Sequence, residues 1–206
     1  VYTPLSEILP VKPTGNILEA EAPPRANVQG QRHPILRGLD GVNAKPEQEP
    51  SWGSWVHAVE AMQTGGTSVM ENADGKPLLV LNRAEKGRVA VLLSDSLPLW
   101  KMGYQGGGPY ADFLRRVSHW LMKSPNLEEE ALRLQPTEGG TKLIVERRTM
   151  SESAEPVTIT TPDGETLSVE LTQKEPGLWS AELKTEKNGV YQGRSDGAQS
   201  LVAYTH

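Results

Sequence analysis

Between residues 94 and 110 the chain reads SDSLPLWKMGYQGGGPY, and this stretch holds most of the side chains that could do chemistry. Ser94 and Asp95 follow an apolar run, and catalytic groups often sit at such strand ends. A serine hydrolase would also need a histidine within hydrogen-bond reach of the hydroxyl. The histidines are His33, His57, His119 and His206. His119, on the polar face of the following helix, is the one that could fold back, which makes Ser94, Asp95 and His119 the catalytic hypothesis. Against it, no G-x-S-x-G elbow occurs. The competing reading has Ser94 and Asp95 capping the strand and bonding loop amides.

The run Gly106-Gly107-Gly108 raises the question of a phosphate loop. A Walker-type loop requires a lysine and then Ser or Thr after its last glycine, whereas Pro109 and Tyr110 follow here. Proline at the first helical position also removes an amide that would hold an anion. The glycines therefore read as a flexible connector from strand to helix. Trp100, Tyr104 and Tyr110 could add aromatic surface for a ligand or partner. Trp52 and Trp55, in PSWGSWVH, could form a sugar-stacking platform, or pack a loop against a core. Candidate binding residues are thus Ser94, Asp95, Trp100, Tyr104, Gly106, Gly107, Gly108, Tyr110, Trp52 and Trp55. Trp179 is expected inside the second domain.

Several classes are argued against. With no cysteine there is no disulfide, thiolate ligand or thiol nucleophile. No HExxH, H-x-x-x-H or Asp-rich calcium loop occurs, so neither a metal nor a cofactor is expected. A net charge of −5 opposes non-specific nucleic-acid binding. Arg115-Arg116, Arg147-Arg148 and Glu128-Glu129-Glu130 read as solvated charges. No apolar run approaches the roughly 18–20 residues of a membrane span, so membrane contact is expected only through segments outside this chain. Starting at Val1 without a signal segment, the chain reads as a piece of a longer protein.

The elements that must position these residues follow from periodicity. Prolines crowd residues 1–55 and disfavour long helices there, although SEIL at 6–9 allows one turn and NILEAEA at 16–22 a strand. PLLVL at 77–81 and RVAVLLSD at 88–95 read as buried strands joined antiparallel through NRAEKG, with Gly87 at positive φ. Phe113, Leu114, Val117, Trp120 and Leu121 recur at helical spacing, opposite Asp112, Arg115, Arg116 and His119. From about residue 130 the period changes to two. KLIVER, VTITT, TLSVELT, LWSAELK, VYQGR and SLVAY are short strands separated by EGG, PDG, EPG, NG and DG turns, the pattern of a β-sandwich.

RHPILRGLDG at 32–41, PLLVLNRAEKGRVAVLLSD at 77–95 and the helix ending HWLM at 119–122 resemble, in that order, the C-terminal half of a class I glutamine-amidotransferase-like domain. The likeness is to those in large membrane-anchored bacterial proteins with von Willebrand A-type domains. The resemblance implies a partial flavodoxin-like α/β layer over residues 1–127, with its first βα units upstream, and an immunoglobulin-like β-sandwich over 128–206. Amidotransferases resembling this fold use a cysteine nucleophile, absent here, so glutaminase activity is argued against. The expectation is a non-catalytic interaction or assembly module of an envelope protein, periplasmic or envelope-associated. Its partners would be proteins of a membrane-associated complex, including von Willebrand A proteins and their ATPases. The alternatives are a small-ligand or carbohydrate-binding module and, behind it, a serine hydrolase.

Overall fold

The computed structural model describes residues 4–137, 142–185, 187–195 and 198–204. Two compact units divide the chain, Val1–Leu127 and Glu128–His206.

In the first unit a 3-10 turn at Pro4–Glu7 leads into β1 (Val11–Ala22), β2 (Arg25–Ala26), α1 (Val28–Arg32), β3 (Trp55–Gln63), β4 (Thr67–Glu71), β5 (Pro77–Ala84) and β6 (Gly87–Leu92). Two helices follow, α2 (Leu97–Lys101) and α3 (Tyr110–Leu121). Strands β1 and β3 form an antiparallel ribbon, and β2-β4-β5-β6 form an antiparallel sheet. This overturns the expected α/β layer. The protein is 44% strand and 17% helix, in four antiparallel sheets, and little flavodoxin-like α/β architecture is visible. The apolar runs 77–81 and 88–92 misled because burial on both faces has a second origin here. Ala90 and Leu92 pack on the core that holds Phe113 and Trp120 of α3, while Val80 and Val91 pack on Val11 and Ala61 of the ribbon. A continuous apolar strand is thereby made without a parallel neighbour.

Local details also differ from expectation. The β5–β6 turn is Glu85-Lys86, and Glu85, not Gly87, takes the positive φ, at 50°. In α3, Phe113 and Trp120 are buried, but Leu114 and Leu121 are 36% and 39% exposed. The helix overlies the sheet with only part of its apolar stripe covered. Arg116 is no solvated charge. Its guanidinium donates to the carbonyls of Arg37 at 2.7 Å and Gly38 at 3.3 Å, and to Asp112 at 3.0 Å. The HPILRG loop is thus tied to α3.

In the second unit β7 (Ala131–Pro136), β8 (Lys142–Arg148), β9 (Val157–Thr160), β10 (Thr166–Val169), β11 (Thr172–Glu175), β12 (Leu178–Lys184), β13 (Gly189–Ser195) and β14 (Ala198–Tyr204) form two antiparallel sheets, β11-β12-β8-β7 and β10-β9-β13-β14. Leu132, Leu134, Leu143 and Val145 of one sheet pack against Val157, Ile159 and Tyr191 of the other, as in a β-sandwich. The run TLSVELT breaks into β10 and β11, and β7 is a strand the turn pattern did not mark. Trp179 lies opposite Arg147 in register and is half-buried, outside the buried cluster. Arg147 and Glu130, expected in solvent, are ion-paired at 2.5 Å with the Arg147 side chain only 6% exposed. The EGG and DG turns at 138–140 and 196–197, and His206, lie outside the described residues.

Candidate functional site

Ser94 leaves the sheet just after β6, and four bonds weld its segment to β3. The Ser94 hydroxyl donates to the His57 carbonyl at 2.5 Å, the Val59 amide donates to the Leu93 carbonyl at 2.7 Å, and Ser96 Oγ accepts from the Val56 and His57 amides at 3.3 Å. Ser94 Oγ also accepts from the Ser96 amide at 3.1 Å. The histidine brought to Ser94 is His57, not His119, which stands exposed on α3. The hydroxyl bonds the backbone of His57, so it is engaged in holding the loop rather than in handing a proton to an imidazole.

The weld has a consequence for shape. Across the β1–β3 ribbon Ile17 pairs with Val59 and Glu19 with His57. Residues two apart on a strand share a face, so these four side chains lie together on one face of the ribbon. Leu18 and Ala58 turn to the core instead. Alongside runs the 94–95 segment, and the result is a groove of about 350 Å³ lined by Ile17, His57, Ala58, Val59, Ser94 and Asp95. Of these only Ser94 and Asp95 stood out in the sequence. The alternating pattern of HAVEAM was the available signal for the rest, but it identifies a two-faced strand and not what lies beside it.

The aromatic candidates go elsewhere. Trp52, Trp55 and Trp100 are buried, with ring centroids 5.0 Å apart for Trp52–Trp100 and 5.1 Å for Trp55–Trp100. Phe113 meets Trp100 edge-on at 5.8 Å. A sugar-stacking platform needs an open ring face, and these faces are spent on one another. Trp100 Nε1 donates to the Gly53 carbonyl at 3.0 Å, and the Gly53 amide donates to the Gly107 carbonyl at 2.6 Å. The glycine segment is therefore pinned at Gly53 rather than a free connector. Its amides are used internally as well, Gly106 N–H to Gly103 O at 3.2 Å and Gly107 N–H to Tyr104 O at 2.8 Å. Gly108 lets the chain pass over Trp100, where an added Cβ would fall 2.5 Å from the indole Cδ2. Pro109 sits one residue before α3, at φ −78° and ψ 51°, not within it.

Tyr104 is partly exposed and donates its hydroxyl to Glu21, whose carboxylate raises the phenol above its ordinary range; Gln105 donates to the same oxygen at 2.5 Å. Tyr110 packs against the tryptophan core, with Lys101 Nζ 6.0 Å from its ring. Among the described residues no group of three His, Asp or Glu side chains is placed to hold a metal ion. No helix among them is long and apolar enough to cross a membrane.

In the second unit a polar cavity of about 360 Å³ is lined by Glu130, Arg147, Thr149, Ser151, Ser153, Ala154, Glu155 and Ser195. Its charged pair is committed to the fold. Glu130 accepts from the Thr149 hydroxyl and the Met150 amide, both at 2.9 Å, and Arg147 donates to the Arg148 carbonyl at 2.5 Å.

No protein-family model matches the chain, and no curated protein matches it. Among solved structures it is similar to a β-galactosidase from Rahnella sp. R3, at 14% identity and a TM-score of 0.35. That match takes in 88% of this chain and 25% of the other, so the chain spans about a quarter of that protein's length. A likeness this remote carries no inference about activity.

Proposed function

We propose that the chain is a non-catalytic interaction or assembly module of a bacterial envelope protein. One observation carries the reading. The candidate nucleophile and the tryptophan rings are turned into the framework, while several apolar side chains are left outside. The Ser94 hydroxyl and the Trp52, Trp55 and Trp100 rings are engaged internally. By contrast Ile17, Met62, Met102 and Met122 are 59–77% exposed. Contiguous exposed apolar surface marks contact sites, and Ile17 and Val59, paired across the ribbon and 67% and 40% exposed, form such an adjacent pair. The envelope setting, and protein partners of the von Willebrand A type in a membrane-associated complex, rest on the sequence resemblance alone.

Photo-crosslinking tests it. A photoreactive residue placed at Ile17, Met62, Met102 or Met122 of the parent protein in cells is expected to form adducts with another protein from at least one position. No adduct from any of them would overturn the reading. So would turnover of ester, amide or glycoside substrates by the purified chain that is abolished by Ser94→Ala.

A second reading, small-ligand binding, is favoured by the groove over Ile17 and Val59. Its volume and mainly apolar walls with a few polar groups are those of ordinary ligand sites. The tryptophans take no part in it, so they offer no stacking face for a sugar.

A further inference from the structure

The groove has a chemical character that narrows what it takes, and the inference rests on the small-ligand reading. Its apolar surface comes from Ile17 and Val59, paired across the ribbon on the face that lines it. Its charged rim is anionic. Asp95 lines it directly, and Glu19 stands on the same ribbon face as Ile17, opposite His57. Neither carboxylate has an ion-pair or hydrogen-bond partner among the described residues, in contrast to Glu21, held by Tyr104 and Gln105, and Glu60, held by Thr14, Asn16 and Lys76. Among the described residues no Lys or Arg lines the groove. The walls are held in place before any ligand arrives, because Ser94, Ser96 and Leu93 are bonded to β3. A groove set by its own hydrogen bonds does not charge a ligand the cost of ordering it.

We propose that this groove binds a small organic cation, a primary or quaternary ammonium carried on an apolar body. The body lies over Ile17 and Val59, and the ammonium lies at the rim between Asp95 and Glu19. An anionic ligand meets two carboxylates and, among the described residues, no Lys or Arg. A neutral ligand of the same shape gains the apolar contact and forgoes the charge. The carboxylates are exposed, so each contributes modestly and is screened by salt.

The test uses phenethylammonium, with 2-phenylethanol and 3-phenylpropionate as neutral and anionic partners of similar shape. Binding is followed by NMR on the Ile17 and Val59 methyls and the His57 ring. The expected result is that phenethylammonium shifts these signals and binds about tenfold more tightly than the alcohol at low salt, the acid weakest of the three. The preference should shrink as salt rises past about 0.15 M. Asp95→Asn should weaken the cation about threefold and leave the alcohol unchanged, and adding Glu19→Gln should remove most of the preference. Equal binding of cation and alcohol, or shifts located away from these residues, would overturn the cation assignment while leaving a ligand groove. Binding of none of the three would remove both this inference and the small-ligand reading.

Discussion

Arg147 and Glu130 meet at 2.5 Å, and the arginine side chain is almost wholly enclosed while the glutamate is about half exposed. Strand β8 carries the guanidinium inward on the same face as Leu143 and Val145, at the end of the sandwich core. Such a charge is tolerable only because a carboxylate and backbone carbonyls surround it. Glu130→Ala is expected to cost about 2–4 kcal/mol, less than a fully buried pair because water reaches the glutamate. Glu130→Gln should recover part of this, since it can still accept from Met150. Urea denaturation of the four combinations with Arg147→Met would show coupling, and additive single effects would contradict a shared network.

Asn43 works as a surrogate strand for β2. Its Oδ1 accepts from the Ala26 amide and its Nδ2 donates to the Ala26 and Lys45 carbonyls, each at 2.8 Å, with the side chain buried. Asn43→Ala leaves both backbone groups of Ala26 without that partner and should cost about 2–4 kcal/mol. Asn43→Asp keeps the acceptor, loses the donor and adds a buried charge, so it should be no better than alanine at neutral pH. Hydrogen exchange at Ala26 should rise in both variants.

Glycine substitutions should separate along the Trp100 loop. A Cβ on Gly53 would stand 2.1 Å from the Tyr104 carbonyl oxygen, and one on Gly108 would meet the Trp100 ring, whereas one on Gly65 meets nothing within 4 Å. Gly53→Ala and Gly108→Ala are expected to lose about 1–3 kcal/mol, as overpacking does, with Gly65→Ala near neutral. Trp100→Ala should lose about 3–5 kcal/mol. Thermal melts with tryptophan fluorescence report both stability and the Trp52–Trp100–Trp55 environment.

Asp163 titrates abnormally low. The Lys187 ammonium bonds its carboxylate and the Thr161 hydroxyl donates to it at 2.6 Å, holding the pKa at about 2. The folded value lies below the unfolded value of about 3.9, so the unfolded chain binds the proton more readily. The stabilisation is present in full above the unfolded pKa and is lost as pH falls through the folded one. Carboxyl NMR should place the midpoint near 2, and Lys187→Ala should raise it toward the ordinary aspartate range. An unchanged midpoint in that variant would assign the depression to Thr161 instead.

Much of the local structure was readable in the chain. Period-two alternation from residue 130 marks one face of each strand by side-chain spacing alone, and KLIVER and VTITT carry Leu143, Val145, Val157 and Ile159 into the core they form. The β5–β6 hairpin was readable because two apolar runs stand a turn apart. Its turn residue was not, because Glu85 accepts a left-handed φ that glycine preference would have assigned to Gly87. The helix at 110–121 was readable from spacing, but how much of its apolar stripe would be covered depends on the sheet beneath it.

What the sequence determined by itself is composition, the absence of cysteine and metal motifs, and where strand and helix periods run. These depend on residues close together in the chain. Tertiary structure alone decided that Ser94 meets His57 rather than His119 and that the three tryptophans face one another. It also decided that Ile17 and Val59 face a groove, and that the first unit builds antiparallel sheets. Each of these is a contact between segments tens of residues apart. Apolar spacing requires that such a strand or ring be covered, but it does not name the partner, because several surfaces of the same chain satisfy the same burial.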